Sequence, residues 1–234
     1  SALQQMGSAS PLPGLPISVA GSPLGAADAV VLAAYGVGTA NAAAVTVLAT
    51  KGDVPGGVRL APGLVAVGPA EWTSQLAARA AVAARHPLAI PDELKQLRVH
   101  AEPEGATGAV VRVTARLPFD ARIALARMTG LDEAPARVSL WADVADDVAI
   151  VVDADARDPG DPPERSGAAA KRLAHSIRGF IAELDDMPAI RALGVTASLD
   201  DARLISQGTW VRTIVAVGPR HLARVLERAR AMLA

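Results

Sequence analysis

Four aspartates stand close together in the middle of the chain: Asp153, Asp155, Asp158 and Asp161. Carboxylate oxygens are the ligands that hard cations such as Ca²⁺ prefer. However, Arg157 stands where a calcium-binding loop would need a further oxygen ligand, and the glycine and the distal glutamate of such a loop are missing. We therefore expect a solvated loop with carboxylates at the end of a strand. The alternative is a metal-dependent hydrolase with its cation in this loop.

The remaining motifs give little support to catalysis or cofactor binding. Gly36-Val37-Gly38 follows an apolar stretch but lacks the third glycine of a dinucleotide-binding loop, so we predict a hairpin loop there. The chain has four histidines, His86, His100, His175 and His221. No two of them have a metal-binding spacing, and His175 is expected to be exposed or half-buried. No GxSxG nucleophile motif occurs, and there is no cysteine to form a disulfide, a thiolate zinc site or a nucleophile. We predict that the protein is not an enzyme and has no catalytic residue, no cofactor and no metal site.

The composition limits the fold and the partners. The 234 residues are 51% hydrophobic but only 3% aromatic, so the core must be built from Ala, Val, Leu and Ile. A formal net charge of -1 gives no overall attraction to nucleic acid or to an anionic membrane, and we expect no nucleic-acid partner. Residues 26–50 are apolar but interrupted by Asp28, Gly36, Gly38 and Asn41, which predicts two buried strands and no transmembrane segment.

The elements that must position any site are organised around residues 138–156. Apolar and polar residues alternate from Val138 to Val144, and an almost wholly apolar run extends from Val148 to Val152 after a polar turn. This pattern predicts a β-hairpin. Segments from Gly108 to Leu199 follow the order strand, helix, strand, strand, helix, strand, which is that of a ferredoxin-like split βαβ unit. We therefore predict an α+β fold with antiparallel sheets and helices on one face.

A repeated motif indicates that this plan is duplicated. VAVGP occurs at residues 65–69 and again at 215–219, each time at the end of a strand and before a helix, and Leu76 and Leu226 follow at the same offset. We predict a flexible N-terminal segment at residues 1–16, a first α+β half at 17–107 and a second, ferredoxin-like half at 108–234.

Several local predictions complete this arrangement. A short strand is expected at residues 17–20, and a short helix at 91–97 is expected to lead into a strand at 98–101. The strongest helical pattern is at residues 167–185, where a helix is expected. Strands are expected at residues 195–199, 203–206 and 210–217, and a final helix at 219–233.

Two features are candidates for an interaction surface. Trp141 lies on the side of its strand opposite Val138, Leu140 and Val144, so it either packs under a helix or contacts a partner. The final helix places Arg220, Arg224, Glu227 and Arg228 on one face, which either contacts phosphates or acidic lipids or, as we expect with Glu227 among the arginines, is a solvated helix surface. The candidate interaction surface therefore consists of Trp141, Arg220, Arg224 and Arg228.

The segment LAHSIRGFIAELDDMPAIRALGV, residues 173–195, is followed by strands and a closing helix. This pattern resembles uncharacterised envelope proteins of GC-rich Gram-negative bacteria, many of them predicted lipoproteins. The resemblance implies a cell-envelope or periplasmic location, with the cytoplasm as the alternative, and it brings no catalytic residues. We expect an interaction or scaffold module whose partner is a protein, either another protein or a second copy of this chain. The alternative is a small-molecule or lipid-binding protein with an apolar pocket between the halves.

Overall fold

The computed structural model describes residues 27–36, 43–52, 54–85, 89–106, 108–144, 147–157 and 166–233. The chain divides into two compact units, Ser1–Ala89 and Ile90–Ala234. The boundary predicted from the sequence lies between residues 107 and 108, whereas in the structure the segment 90–107 belongs to the second unit. The expected segments at residues 1–16 and 17–20 lie outside the described residues.

The first unit contains an antiparallel sheet and a helix. Its elements are β1 (Ala29–Tyr35), β2 (Ala43–Ala49), β3 (Val58–Ala61), β4 (Leu64–Val67) and α1 (Ala70–Ala83). The described strands lie in the order β1-β2-β4-β3. Leu48, Val54 and Val65 form its buried apolar cluster, consistent with a core of aliphatic side chains. The predicted hairpin from β1 to β2 is confirmed, while its loop, residues 37–42, lies outside the described residues. The prediction that both strands are buried is wrong for β1, which is exposed along most of its length.

The second unit is built on a larger antiparallel sheet. Its strands are β5 (Val111–Arg116), β6 (Arg137–Val144), β7 (Val148–Asp155), β8 (Arg203–Gln207) and β9 (Trp210–Val217). The described strands lie in the order β5-β6-β7-β9-β8. The predicted central hairpin is confirmed as β6 and β7, which pair from Arg137 with Asp155 to Val144 with Val148.

Helices lie on both faces of this larger sheet. They are α2 (Asp92–His100), α3 (Phe119–Thr129), α4 (Ser166–Asp186), α5 (Pro188–Leu193), α6 (Thr196–Asp200) and α7 (Pro219–Leu233). On α4, Leu173 is buried against Ala154 and Val211. Ala101, directly after α2, packs against Trp141 and Val151. Because Val151 and Ala154 are three residues apart on one strand, they face opposite sides of the sheet. The prediction of helices on one face is therefore wrong for this sheet.

The α+β class with antiparallel sheets is confirmed, but the ferredoxin-like order is wrong. That order needs the first and third strands as parallel neighbours, whereas β5 pairs only with β6 among the described strands and all described pairings are antiparallel. The strand predicted at residues 195–199 is the helix α6. It begins just after Gly194, whose left-handed φ of 76° ends α5. A short run of mixed residues does not distinguish strand from helical turn by its periodicity.

The strand predicted at residues 98–101 is also wrong, because α2 continues to His100. Leu97 is its buried residue, and Arg98 and His100 lie in its last turn. Basic side chains there interact favourably with the negative end of the helix dipole. Residues 98–100 therefore belong to a helix that packs on the sheet, and they do not pair with it as a strand.

The two sheets share one plan, in agreement with the repeated VAVGP motif. β1-β2-β4-β3 of the first sheet corresponds to β6-β7-β9-β8 of the second, and α1 follows β4 as α7 follows β9. The second unit inserts α4, α5 and α6 between β7 and β8, where the first unit has a short connection. It also has β5 on the outer edge of β6. In the described part of the first unit, no strand lies on the equivalent edge of β1.

Candidate functional site

The face of the larger sheet below α2 carries two buried aspartates. Asp153 and Asp155 are both on β7, and they are 1% and 0% exposed. Because they are two residues apart, both side chains point to the same face. Across the sheet, Asp153 lies between Ser139 and Arg212. A buried carboxylate is costly unless it is paired and hydrogen-bonded, so its neighbours decide what it can do.

Asp153 is held by a guanidinium and an imidazole. Arg212 donates from Nε to Oδ1 at 2.8 Å and from Nη2 to Oδ2 at 2.6 Å. His100 Nδ1 lies 2.7 Å from Oδ2. The same Arg212 Nη2 donates to the carbonyl of His100 at 2.8 Å, which ties the end of α2 to β9. The hydrogen bond to Asp153 raises the pKa of Arg212 above its ordinary value, so this side chain stays cationic.

Asp155 has its own arginine. Arg137 Nε donates to Oδ2 at 3.0 Å, and Nη2 contacts the same oxygen. The backbone N–H of Arg157 donates to Oδ1 at 3.1 Å. Glu93 on α2 lies 3.7 Å from Nη1 of Arg137. Side chains of α2 therefore reach both buried carboxylates, His100 directly and Glu93 through Arg137.

Trp210 lies between the two pairs. Its ring stacks on His100 with the centroids 3.8 Å apart and the planes inclined by 21°. The guanidinium carbon of Arg137 lies 5.3 Å from the Trp210 centroid, within the range of a cation–π contact. We call this set the carboxylate cluster; its members are Asp153, Asp155, Arg137, Arg212, His100 and Trp210.

The carboxylate cluster is paired within itself, and this limits its chemistry. The oxygens of Asp153 and Asp155 accept hydrogen bonds from the side chains of Arg212, His100 and Arg137 or from backbone. In the described part of the chain, no group of three or more His, Cys, Asp or Glu residues could hold a metal ion. The expectation that Asp153 and Asp155 are solvated is wrong, because both lie on the buried face of β7. Asp158 and Asp161 lie outside the described residues.

The partners of these carboxylates were missed in the sequence. Arg212 is 59 residues from Asp153 along the chain and His100 is 53 residues away, so no local spacing connects them. A weak signal was available in β9, where Arg212 is the one charged residue in a mostly apolar strand. An arginine at such a position needs a partner on the same face.

The other histidines have separate environments. His175 is exposed on α4, in line with the expectation. His221 Nδ1 lies 3.3 Å from Ser198 Oγ, and its Nε2 contacts the carbonyl of Gly194, so this ring joins α7 to α5 and α6. His86 lies outside the described residues. The described histidines are thus spread over the second unit and do not converge on one site.

The residues of the candidate interaction surface fall into two places. Trp141 is 7% exposed and donates from Nε1 to the carbonyl of Gly108 at 2.7 Å, so it belongs to the core and is not available at a surface. Arg220, Arg224 and Arg228 are exposed on α7. Arg228 also approaches the carbonyl of Leu193 at 3.4 Å. Contact of these arginines with a partner stays a prediction.

A groove between α2 and the outer strand β5 is a second feature of the larger unit. Its volume is about 590 Å³, and its lining residues are Ile90, Leu94, Lys95, Arg98, Val99, Glu102, Arg112 and Thr114. Ile90, Leu94 and Val99 are exposed apolar residues of this lining. Arg112 Nη1 donates to Glu102 Oε2 at 2.7 Å. This hydrogen bond, together with the charges of Arg112 and Arg98, holds the pKa of Glu102 below its usual value. The groove is thus apolar with a net positive rim.

The outer strand of the first unit is a third feature. Val30 and Leu32 point to one face of β1 and Val31 to the other, and they are 46%, 45% and 62% exposed. Tyr35, at the end of the strand, stacks on Trp72 with the centroids 4.9 Å apart. Large aliphatic side chains are thus exposed on both faces of a strand that has one free edge among the described residues.

Two further observations concern the whole described chain. None of its described helices is both long enough and apolar enough to cross a membrane. The comparisons with known proteins give no relative: no family model, no curated protein and no solved structure matches this chain.

Proposed function

We propose that this chain is a non-enzymatic interaction or scaffold module of the bacterial cell envelope, and that it contacts a protein partner through β1. The observation that carries the proposal is the exposure of Val30, Val31 and Leu32 on a strand whose outer edge has no pairing strand among the described residues. An open edge presents unpaired N–H and C=O groups, and an added strand binds there through backbone hydrogen bonds. The envelope location rests on the resemblance of residues 173–195.

The chemistry of the larger unit supports a role without catalysis. The buried carboxylates, which would be the first candidates for acid–base work, are engaged by Arg137, Arg212 and His100. A general acid or base must be able to reach the proton that it transfers. Both are instead buried: Asp153 joins α2 to β9 through His100 and Arg212, and Asp155 is paired with Arg137 on β6.

The test is crosslinking in cells of the source organism. A photoreactive amino acid in place of Val31 should give a discrete crosslinked product in the envelope fraction. The matched control is Val82, which is similarly apolar and 52% exposed but lies on α1. The product should be absent with the probe at Val82. If Val31 gives no product, or only the products that Val82 gives, the proposed function is wrong.

The groove between α2 and β5 favours a second function, the binding of a small amphipathic anion. Ile90, Leu94 and Val99 would contact an acyl chain, and Arg98 would contact an acidic head group. In this second proposal the ligand binds within the second unit, whereas the sequence led us to expect a pocket between the halves.

Native mass spectrometry of gently purified protein tests this alternative. A bound molecule should appear as an added mass that is lost in Leu94→Glu and kept in Leu226→Glu, a control at an exposed leucine of α7. A bare protein mass in the unaltered chain would contradict it.

A further inference from the structure

We propose that β1 pairs in antiparallel fashion with β1 of a second copy of the chain, so that two first-unit sheets join into one continuous sheet. This rests on the proposed function and names the partner at the same edge. Three observations support it: the chain's own second sheet, the residues of the other outer strands, and the size pattern of β1 itself.

The second sheet provides an internal template for the occupied edge. β6 corresponds to β1 in the shared strand order, and its outer edge is covered by β5. β5 pairs with β6 antiparallel over six positions, from Val111 with Ala142 to Arg116 with Arg137. In this architecture the edge therefore accepts an antiparallel strand of about the length of β1.

The outer strands differ in how they are protected. Charged side chains on edge strands usually prevent pairing with other chains. The other outer strands described in the two sheets each contain arginine: Arg59 on β3, Arg112 on β5 and Arg203 on β8. β1, with the sequence AVVLAAY, has no charged residue and no proline. Among the described outer strands, β1 is thus the one that has neither a charge nor a proline along its length.

The sequence of β1 is complementary to itself about Leu32. In an antiparallel pair centred there, Ala29 faces the partner's Tyr35, Val30 faces the partner's Ala34, and Val31 faces the partner's Ala33. Tyr35, Val30 and Val31 then each meet an alanine, and Leu32 meets the partner's Leu32 on the two-fold axis. An interface of this kind uses the same patch on both copies and closes as a dimer.

The absence of cysteine from the chain allows a direct test of this register. Directly opposed residues in an antiparallel pair have Cβ atoms about 5 Å apart, and a disulfide needs about 4 Å. Oxidation of Leu32→Cys should therefore give a disulfide-linked dimer. The control is Val30→Cys, on the same face and equally exposed. Its own copy would lie about 14 Å away along the strand, since each residue advances about 3.4 Å.

The expected result is at least a tenfold greater yield of dimer for Leu32→Cys than for Val30→Cys at the same concentration. Equal yields, or none, would refute the pairing. A yield that is higher for Val30→Cys would also refute it, because it would require another register.

Sedimentation of the cysteine-free chain gives a second readout. The unaltered chain should associate with increasing concentration, and Val31→Lys should sediment as a monomer with an unchanged circular dichroism spectrum. Ile205→Lys, on the outer strand β8, should associate like the unaltered chain. A monomer at every concentration would overturn the inference. If the probe at Val31 still captures a different protein in cells, the proposed function survives and only the second copy is excluded.

Discussion

Replacing Asp153 by alanine should destabilise the second unit strongly, because it removes the shared partner of Arg212 and His100. The carboxylate is 1% exposed and accepts hydrogen bonds from both residues. Removing one member of a buried ion pair costs about 3 to 5 kcal/mol. The side chains of Arg212 and His100 are 37% and 36% exposed, so water can solvate them after the substitution. We therefore expect the lower end of that range, about 3 kcal/mol.

The control is Asp186→Ala. Asp186 also pairs with an arginine, Arg191, but its side chain is 77% exposed. Exposed ion pairs contribute about 0 to 1 kcal/mol, so this substitution should have little effect. Comparing the stability losses of Asp153→Ala and Asp186→Ala separates the contribution of a buried ion pair from that of an exposed one.

The measurement is urea denaturation followed by tryptophan fluorescence in a Trp72→Phe background. Trp141 and Trp210 then report on the second unit alone. A loss of about 3 kcal/mol should lower the denaturation midpoint without changing the slope. If Asp153→Ala costs no more than Asp186→Ala, the carboxylate is not held as a buried charge and the reasoning is refuted.

Three further outcomes are expected in the second unit. Glu102→Gln should lower stability near neutral pH, because the pKa of Glu102 is lowered in the folded chain by Arg112. Folding favours the ionised form of Glu102. The difference in stability between Glu102→Gln and the unaltered chain should therefore be fully present above about pH 4.3 and should vanish as the pH falls through the lowered pKa. Thermal melts of both proteins from pH 7 to pH 3 measure this difference. Gly130→Ala should destabilise the unit by about 1 kcal/mol, since Gly130 ends α3 with a φ of 67°. Gly179→Ala should instead stabilise it by up to about 1 kcal/mol, because Gly179 is exposed within α4 and has open space around it. Urea midpoints that move in the same direction for both substitutions would contradict this. Leu173→Ala, at a site with 0% exposure, should cost about 2 to 5 kcal/mol in the same assay, and a loss below 1 kcal/mol would mean that α4 is not packed as described.

The sequence predicted those elements whose signal is local. The alternation from Val138 to Val144 predicted β6, and the helical spacing of apolar residues predicted α4. Both are stabilised by burying one side of a regular pattern, and the pattern is present in the sequence.

The strand order could not be predicted in the same way, because it depends on contacts between distant segments. β7 is followed in the sheet by β9, although three helices and β8 lie between them in the chain. The pairing of Asp153 with Arg212 follows from that order and is equally hidden. The helix α6 was missed because a five-residue element has too few positions to show a period.

The buried pair of Asp153 and Arg212 has a consequence for how the sheet folds. Within the described sheet, β7 and β9 are joined only after the chain has closed over α4, α5 and α6, and long-range closures of this kind are slow steps in folding. Asp153 stays hydrated until β9 arrives. A slip of two residues would keep every side chain on its face, yet it would place Asp153 against Trp210 or Ile214. The carboxylate of Asp153 would then be buried without a cation. The ion pair with Arg212 therefore selects the correct register of β7 and β9, which the aliphatic residues alone would barely distinguish from its neighbours.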